Sequence, residues 1–193
     1  MSNANAVLAE AVWPSERSNP WVRGVALAFA GSIFIAICAR IQVPMVPVPM
    51  TMQTFAVLLI GLAFGWRLGA ATVALYLAEG AVGLPVFAKG GGLAYFAGPT
   101  AGYLFGFLAA AFAVGWLAES GWGRPALRIF CAMLIGSALS YLFGAAWLSA
   151  FLGLEKAVAV GVMPFLIGDV VKACLAAACL PIAWHLVQKL HAV

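Results

Sequence analysis

Charge is scarce in this sequence. Only 8% of its 193 residues are Asp, Glu, Lys or Arg, against 65% that are hydrophobic. A soluble surface needs about 25 to 35% charged residues, so water is excluded as the main solvent of the chain. Cysteine is sparse as well. Cys38, Cys131, Cys174 and Cys179 all lie in apolar stretches and form no C-x-x-C pair, which indicates neither a disulfide framework nor a metal site. The two histidines, His185 and His191, stand near the C-terminal end without partners at metal-ligand spacing. Ser137 and Ser140 lack a G-x-S-x-G context, which argues against an intramembrane hydrolase. Lys89 precedes Gly90, Gly91 and Gly92 rather than following a glycine loop, so no phosphate-binding loop is present. The net charge of +4 comes from basic residues scattered singly, and without a basic stripe nucleic acid is excluded as a partner.

What is present is a series of apolar segments. A bilayer span needs about 20 predominantly apolar residues, and six candidates follow: Val22 to Ile41, Thr51 to Phe64, Gly65 to Val82, Pro99 to Ala118, Ala126 to Ala150 and Gly161 to Val187. The fold class is all-α, a polytopic membrane protein with six transmembrane helices in one bundle. Residues 1–21 lack a basic start followed by an apolar core, so no cleavable signal peptide is read there. They are expected to form a flexible cytoplasmic tail, with residues 22–193 as the membrane domain.

Arg17, Arg23, Arg67, Arg124, Arg128 and Lys189 flank the segments on one side, with Arg40, Lys89 and Lys156 on the other. The positive-inside rule makes the first side cytoplasmic, with both termini there. Two loops then emerge outside. The segment Ile41 to Met50 carries Pro44, Pro47 and Pro49, which favour extended backbone. Gly83 to Gly98 combines Pro85 and three glycines with Phe87, Tyr95 and Phe96. A lid over a cavity and two ordinary solvent loops both fit this composition.

Small residues recur at Gly24, Ala28, Ser32 and Ala36. In lipid, helices associate where backbones approach closely; the stripe faces either a partner subunit or its own bundle. Gly61, Gly65 and Gly69, and Gly102 with Gly106, are expected to pack internally.

Asp169 and Lys172 are the most informative pair. Each costs about 2.5 to 3.5 kcal/mol to insert near the centre of a span, yet both lie well inside the last one. Three residues apart on a helix, they share a face and can pair. Intramembrane charges usually face a cavity and mark a ligand or ion path, although a structural ion pair is the alternative. A carboxylate accepts from N–H donors and an ammonium donates to a carbonyl, so the pair suits a neutral group carrying both, such as a cyclic urea. Glu79, with Tyr76 on the same face, either snorkels or joins the cavity wall. Thr51, Gln53, Thr100 and Tyr103 cluster by depth near the outer side, and the two threonines also fit as helix caps.

Four ordered motifs carry a resemblance. V-P-M-V-P-V-P-M-T-M-Q-T from Val43 to Thr54, L-Y-L-A-E-G-A-V-G-L-P-V-F-A from Leu75 to Ala88, G-P-T-A-G-Y-L-F-G-F from Gly98 to Phe107, and G-D-V-V-K from Gly168 to Lys172 together resemble the BioY family. Its members are substrate-capture (S) components of energy-coupling-factor (ECF) vitamin transporters specific for biotin. The resemblance implies high-affinity biotin binding and uptake across the bacterial cytoplasmic membrane, with no catalysis and no cofactor. It implies that Asp169 and Lys172 hold the ureido head, that Tyr76, Phe87, Tyr95 and Tyr103 enclose the ring, and that Lys89 attracts the carboxylate. The implied partners are a transmembrane coupling subunit, docked through the small-residue face of the first span, and two ATP-binding subunits. A proton-coupled permease that uses Glu79 or Asp169 as its titrating group is the alternative.

Overall fold

The computed structural model describes residues 7–14 and 19–190. It is all-helical apart from one two-residue ladder, with α1 at Leu8–Val12, α2 at Pro20–Arg40, α3 at Gln53–Ala81, α4 at Ala101–Leu117, α5 at Ala126–Leu152, α6 at Leu154–Gly161 and α7 at Leu166–Leu190. Among the described residues, five helical stretches are long and apolar enough to cross a membrane: Pro20–Arg40, Gln53–Ala81, Ala101–Trp122, Ala126–Leu152 and Leu154–Lys189.

The second of these is not one rod. Gly65 has φ of 80°, a left-handed conformation that glycine adopts without steric cost. The Gln53 side chain hydrogen-bonds the Tyr76 hydroxyl at 2.9 Å, whereas 23 residues of continuous helix would separate them by about 34 Å. The chain therefore doubles back at Gly65, and α3 is two legs, 53–64 and 66–81. The reversal stands at the expected boundary between the second and third segments, so the bundle has six helical legs. Glu119 accepts from the Trp66 backbone N–H at 3.2 Å, satisfying an orphan donor where the second leg begins.

The expected glycine packing is present. A Cβ on Gly61 would stand 2.8 Å from the Ala111 carbonyl oxygen, one on Gly69 3.1 Å from Gly61 Cα, and one on Gly106 2.9 Å from Ser140 Cα. These positions let the two legs of α3 approach one another, α3 approach α4, and α4 approach α5, more closely than any side chain permits.

The segment after α2 is extended as expected, with β1 (Gln42–Val43) and β2 (Met50–Thr51) pairing antiparallel in the register Gln42 to Thr51 and Val43 to Met50. In the connection after α3, Phe87 is fully buried. Its ring packs edge-on against Tyr76 and Phe96 and tilts against Tyr95. Gly80 makes room for it, since a Cβ there would lie 2.0 Å from Phe87 Cζ. Arg40 donates to the Pro85 carbonyl, joining this connection to the end of α2.

Three expectations change. Part of the predicted flexible tail is folded: α1 buries Ala9, and Glu10 pairs with Arg23 at 2.8 Å. Residues 1–6 and 15–18, Arg17 included, and 191–193, His191 included, lie outside the described residues. The last long helix begins at Leu166 rather than Gly161, because the separate short helix α6 and a 3₁₀ turn at Met163–Phe165 precede it. Finally, of the two readings of the small-residue stripe the structure has the one that faces its own bundle, not the partner-facing one that the resemblance implies. Ala28 and Ser32 are buried, Ala36 packs against the core, and Gly24 is half-buried. The exposed side of α2 instead carries Val22, Val25, Phe29, Ile33 and Ile37, with Ala26 and Ala30 between them.

Candidate functional site

Asp169 lies in the first turn of α7 and Lys172 one turn on, and both are buried. Their side chains meet at 2.9 Å. Two other helices complete the arrangement. Lys172 Nζ donates to Thr54 Oγ1 of α3 at 2.7 Å, and the Tyr141 hydroxyl of α5 donates to Asp169 Oδ2 at 2.5 Å. Buried ions persist only where the geometry is good and further hydrogen bonds satisfy them, and this quartet meets that condition. It also keeps capacity in reserve: each carboxylate oxygen holds one protein donor, and the ammonium has used two of its three protons.

The quartet forms part of the wall of a hollow with about 530 Å³ of empty space, counting its open mouth. Leu104, Phe107 and Phe165 line it from the helical side, with Val48, Pro49, Ala88 and Tyr95 from the two long connections. An apolar enclosure with a few convergent polar groups is the usual form of a small-molecule site. Both members of the charge pair stand in the wall of this hollow.

Of the expected site residues, Gln53, Tyr95, Thr100, Tyr103, Asp169 and Lys172 line the hollow together. Thr51 lines it too and also caps α3, accepting from the Gln53 N–H at 3.2 Å. Thr100 stands at the N-cap of α4 without a side-chain cap hydrogen bond. The Tyr103 hydroxyl donates to the Gly161 carbonyl at 2.7 Å, which leaves the ring as its contribution to the wall.

Four expected residues are not in the wall. Tyr76 is fully buried behind it, donating to the Val86 carbonyl at 3.0 Å while accepting from Gln53; it fixes the Gln53 amide instead of touching the hollow. Phe87 is equally buried and serves as the anchor of its loop. Glu79 points away towards α2, where the Ser32 hydroxyl donates to its carboxylate at 2.8 and 2.9 Å. Lys89 is exposed and outside the lining. Thr54, Tyr141 and Phe165 were missed by reading the sequence. Thr54 ends the first motif and stands next to Gln53, a signal that was available; Tyr141 and Phe165 carry no mark that separates them from ordinary apolar-segment aromatics.

Comparison with known proteins agrees with this architecture. The BioY family profile matches residues 7–189. The chain is 41% identical over 149 residues to a probable biotin transporter BioY of Pyrococcus horikoshii, covering 75% of this chain and 88% of that one. It is 40% identical over 162 residues to the biotin transporter BioY of Rhizobium etli, covering 79% and 86% respectively. A crystal structure of the S-component for biotin from an ECF-type ABC transporter superimposes with a TM-score of 0.71 at 25% identity, covering 91% of this chain and 94% of that one. This membrane-spanning chain belongs to the BioY family.

Proposed function

We propose that this chain captures biotin in the hollow beside Asp169 and Lys172 and carries it across the cytoplasmic membrane as the S component of an ECF-type transporter. The observation that carries the reading is the quartet of Thr54, Lys172, Asp169 and Tyr141, with donor and acceptor capacity left over, in the wall of a largely apolar hollow. A cyclic urea offers N–H groups to the carboxylate and a carbonyl to the ammonium, so both spare capacities are used by one ring. Gln53, held in place by Tyr76, supplies a further amide, and Phe107, Tyr95, Tyr103 and Phe165 supply apolar enclosure for the fused sulfur ring. A dissociation constant near nanomolar corresponds to about 12.3 kcal/mol. Walls already in place reduce the ordering cost that would otherwise subtract from it.

Release of a tightly held ligand needs work from outside this chain, which supports a membrane coupling subunit served by two ATP-binding subunits. The exposed apolar side of α2, not the buried small-residue stripe, is the surface of that helix available to such a subunit. Six helical legs and the distribution of Arg and Lys support cytoplasmic placement of both ends of one membrane unit from residue 22 onward. The proton-coupled alternative loses one of its two titrating candidates from the ligand site, because Glu79 is engaged by Ser32.

Equilibrium binding of labelled biotin to the detergent-purified chain, with thiamine and riboflavin as competitors, tests the reading. Saturable binding displaced by biotin alone supports it; equal displacement by the other vitamins, or no binding, overturns it.

A further inference from the structure

Gln53 is buried in the first turn of α3 and lines the hollow. Which end of its amide faces that space follows from its partners. The Tyr76 hydroxyl lies 3.0 Å from the Val86 carbonyl and 2.9 Å from the Gln53 amide. A carbonyl only accepts, and a hydroxyl has one proton to give. With that proton given to Val86, the tyrosine oxygen accepts from Gln53, so the amide nitrogen is the end turned to Tyr76. The other end, Oε1, meets no donor among the described residues and yet is not fully enclosed. Gln53 therefore shows the hollow an unfilled acceptor.

The quartet decides what this acceptor meets. Its hydrogen bonds run from Asp169 to Lys172 to Thr54, that is from α7 to α3, and Gln53 is the chain neighbour of Thr54 in the same wall. A cyclic urea carries one N–H on each side of its carbonyl, and the two point apart. With the carbonyl at the Lys172 ammonium and one N–H at Asp169, the second N–H lies on the side of Lys172 away from Asp169, where the first turn of α3 stands. There the Thr51 and Thr54 hydroxyls already accept, from the Gln53 backbone N–H and from Lys172, while Gln53 Oε1 has both lone pairs free.

We infer, resting on the biotin reading above, that Gln53 Oε1 accepts the second urea N–H and that Tyr76, without touching the ligand, is the positioning residue that keeps this oxygen turned to the hollow. The Val86 carbonyl fixes the Tyr76 proton, and Phe87 packs edge-on against the same ring at 5.4 Å. The connection after α3 thus sets the hydrogen-bonding sense of a wall residue at the start of that helix. A free amide could turn either end to the ligand; this one is held as an acceptor, and the site selects a ring with a donor on both sides of its carbonyl.

Competition against labelled biotin on the purified full chain tests this with the two lactam analogues of biotin, each with one urea N–H replaced by a methylene. The unsubstituted chain is expected to bind each about tenfold or more weaker than biotin, about 1.4 kcal/mol. In Gln53→Met and in Tyr76→Phe, one and the same analogue is expected within about threefold of biotin, while the other stays about tenfold or more weaker. A wall that is merely loosened weakens all three ligands together and leaves both ratios as they were, so unchanged ratios in Gln53→Met, with biotin bound, overturn the inference alone. A ratio that collapses in Gln53→Met but not in Tyr76→Phe overturns the positioning role of Tyr76. Gln53→Met leaves the hydrogen bond from Tyr76 to Val86 in place, so it carries the test of the contact even where Tyr76→Phe fails to fold. Absence of binding by labelled biotin to the unsubstituted chain removes the biotin reading and this inference together.

Discussion

The Tyr141 hydroxyl lies 2.5 Å from one oxygen of Asp169 while the Lys172 ammonium lies 2.9 Å from the other, so the carboxylate is clamped from two helices. Tyrosine here does not replace a ligand contact; it sets the direction in which the remaining acceptor positions of Asp169 face.

Removing the clamp without removing the ring therefore weakens binding through Asp169. Tyr141→Phe is expected to raise the dissociation constant for biotin about tenfold, or about 1.4 kcal/mol, and Asp169→Asn about a hundredfold or more. In the double variant the tyrosine substitution adds little, because groups in one network are not additive. Isothermal titration of the four proteins measures the coupling; full additivity would sink the positioning role.

Lys172→Ala leaves Asp169 buried with Tyr141 as its remaining partner. Breaking a buried pair costs about 3 to 5 kcal/mol, so a marked fall in unfolding temperature in detergent accompanies loss of biotin binding. Pairing it with Asp169→Asn restores much of the stability and none of the binding.

Glu79→Gln tests the one acidic site residue that the tertiary structure redirects. An amide oxygen still accepts from Ser32, and the side chain faces α2 rather than the hollow. Biotin affinity is expected to stay within about twofold, below 0.5 kcal/mol, as measured by equilibrium binding. A tenfold loss would return Glu79 to the ligand site.

Gly80→Ala places a methyl group on the Phe87 ring. The ring cannot remain where it is, and the connection that supplies Ala88 and Tyr95 to the hollow moves with it. Faster dissociation of biotin in a chase experiment, by about tenfold, is the expected outcome; an unchanged off-rate would mean that this connection does not contribute to holding the ligand.

Gly65→Ala strains the reversal of α3 in two ways. A side chain there adopts a positive φ, at a cost of about 1 to 3 kcal/mol, and meets the carboxylate of Glu119 at 2.2 Å. Lower thermal stability with biotin affinity retained in the surviving folded fraction distinguishes this structural role from a binding role.

Much of the site was legible because the bilayer makes polar residues expensive. Asp169 and Lys172 stand out in an apolar helix by insertion cost alone, and helical spacing puts them on one face. Gln53, Thr100 and Tyr103 follow from depth along their segments. Tyr141 does not, since nothing local tells one interfacial or core aromatic from another; only the crossing of α5 with α7 brings its hydroxyl to Asp169. Glu79 was ambiguous for the same reason: its rotation about the helix, not its depth, decides between Ser32 and the hollow.

Composition and the spacing of charges determined that this chain spans a membrane, where most of its long helices run, that two of them divide at Gly65 and which ion pair stands out from the apolar background. Those properties are local, because lipid imposes a cost on each residue separately. Which helix faces meet, that Ser32 and Ala28 turn inward, that Phe87 pins a loop and that Tyr141 and Thr54 complete the quartet were decided by tertiary packing. Lipid is as apolar as a side chain, so hydrophobicity leaves the azimuth of each helix open, and close backbone contact together with buried hydrogen bonds sets it.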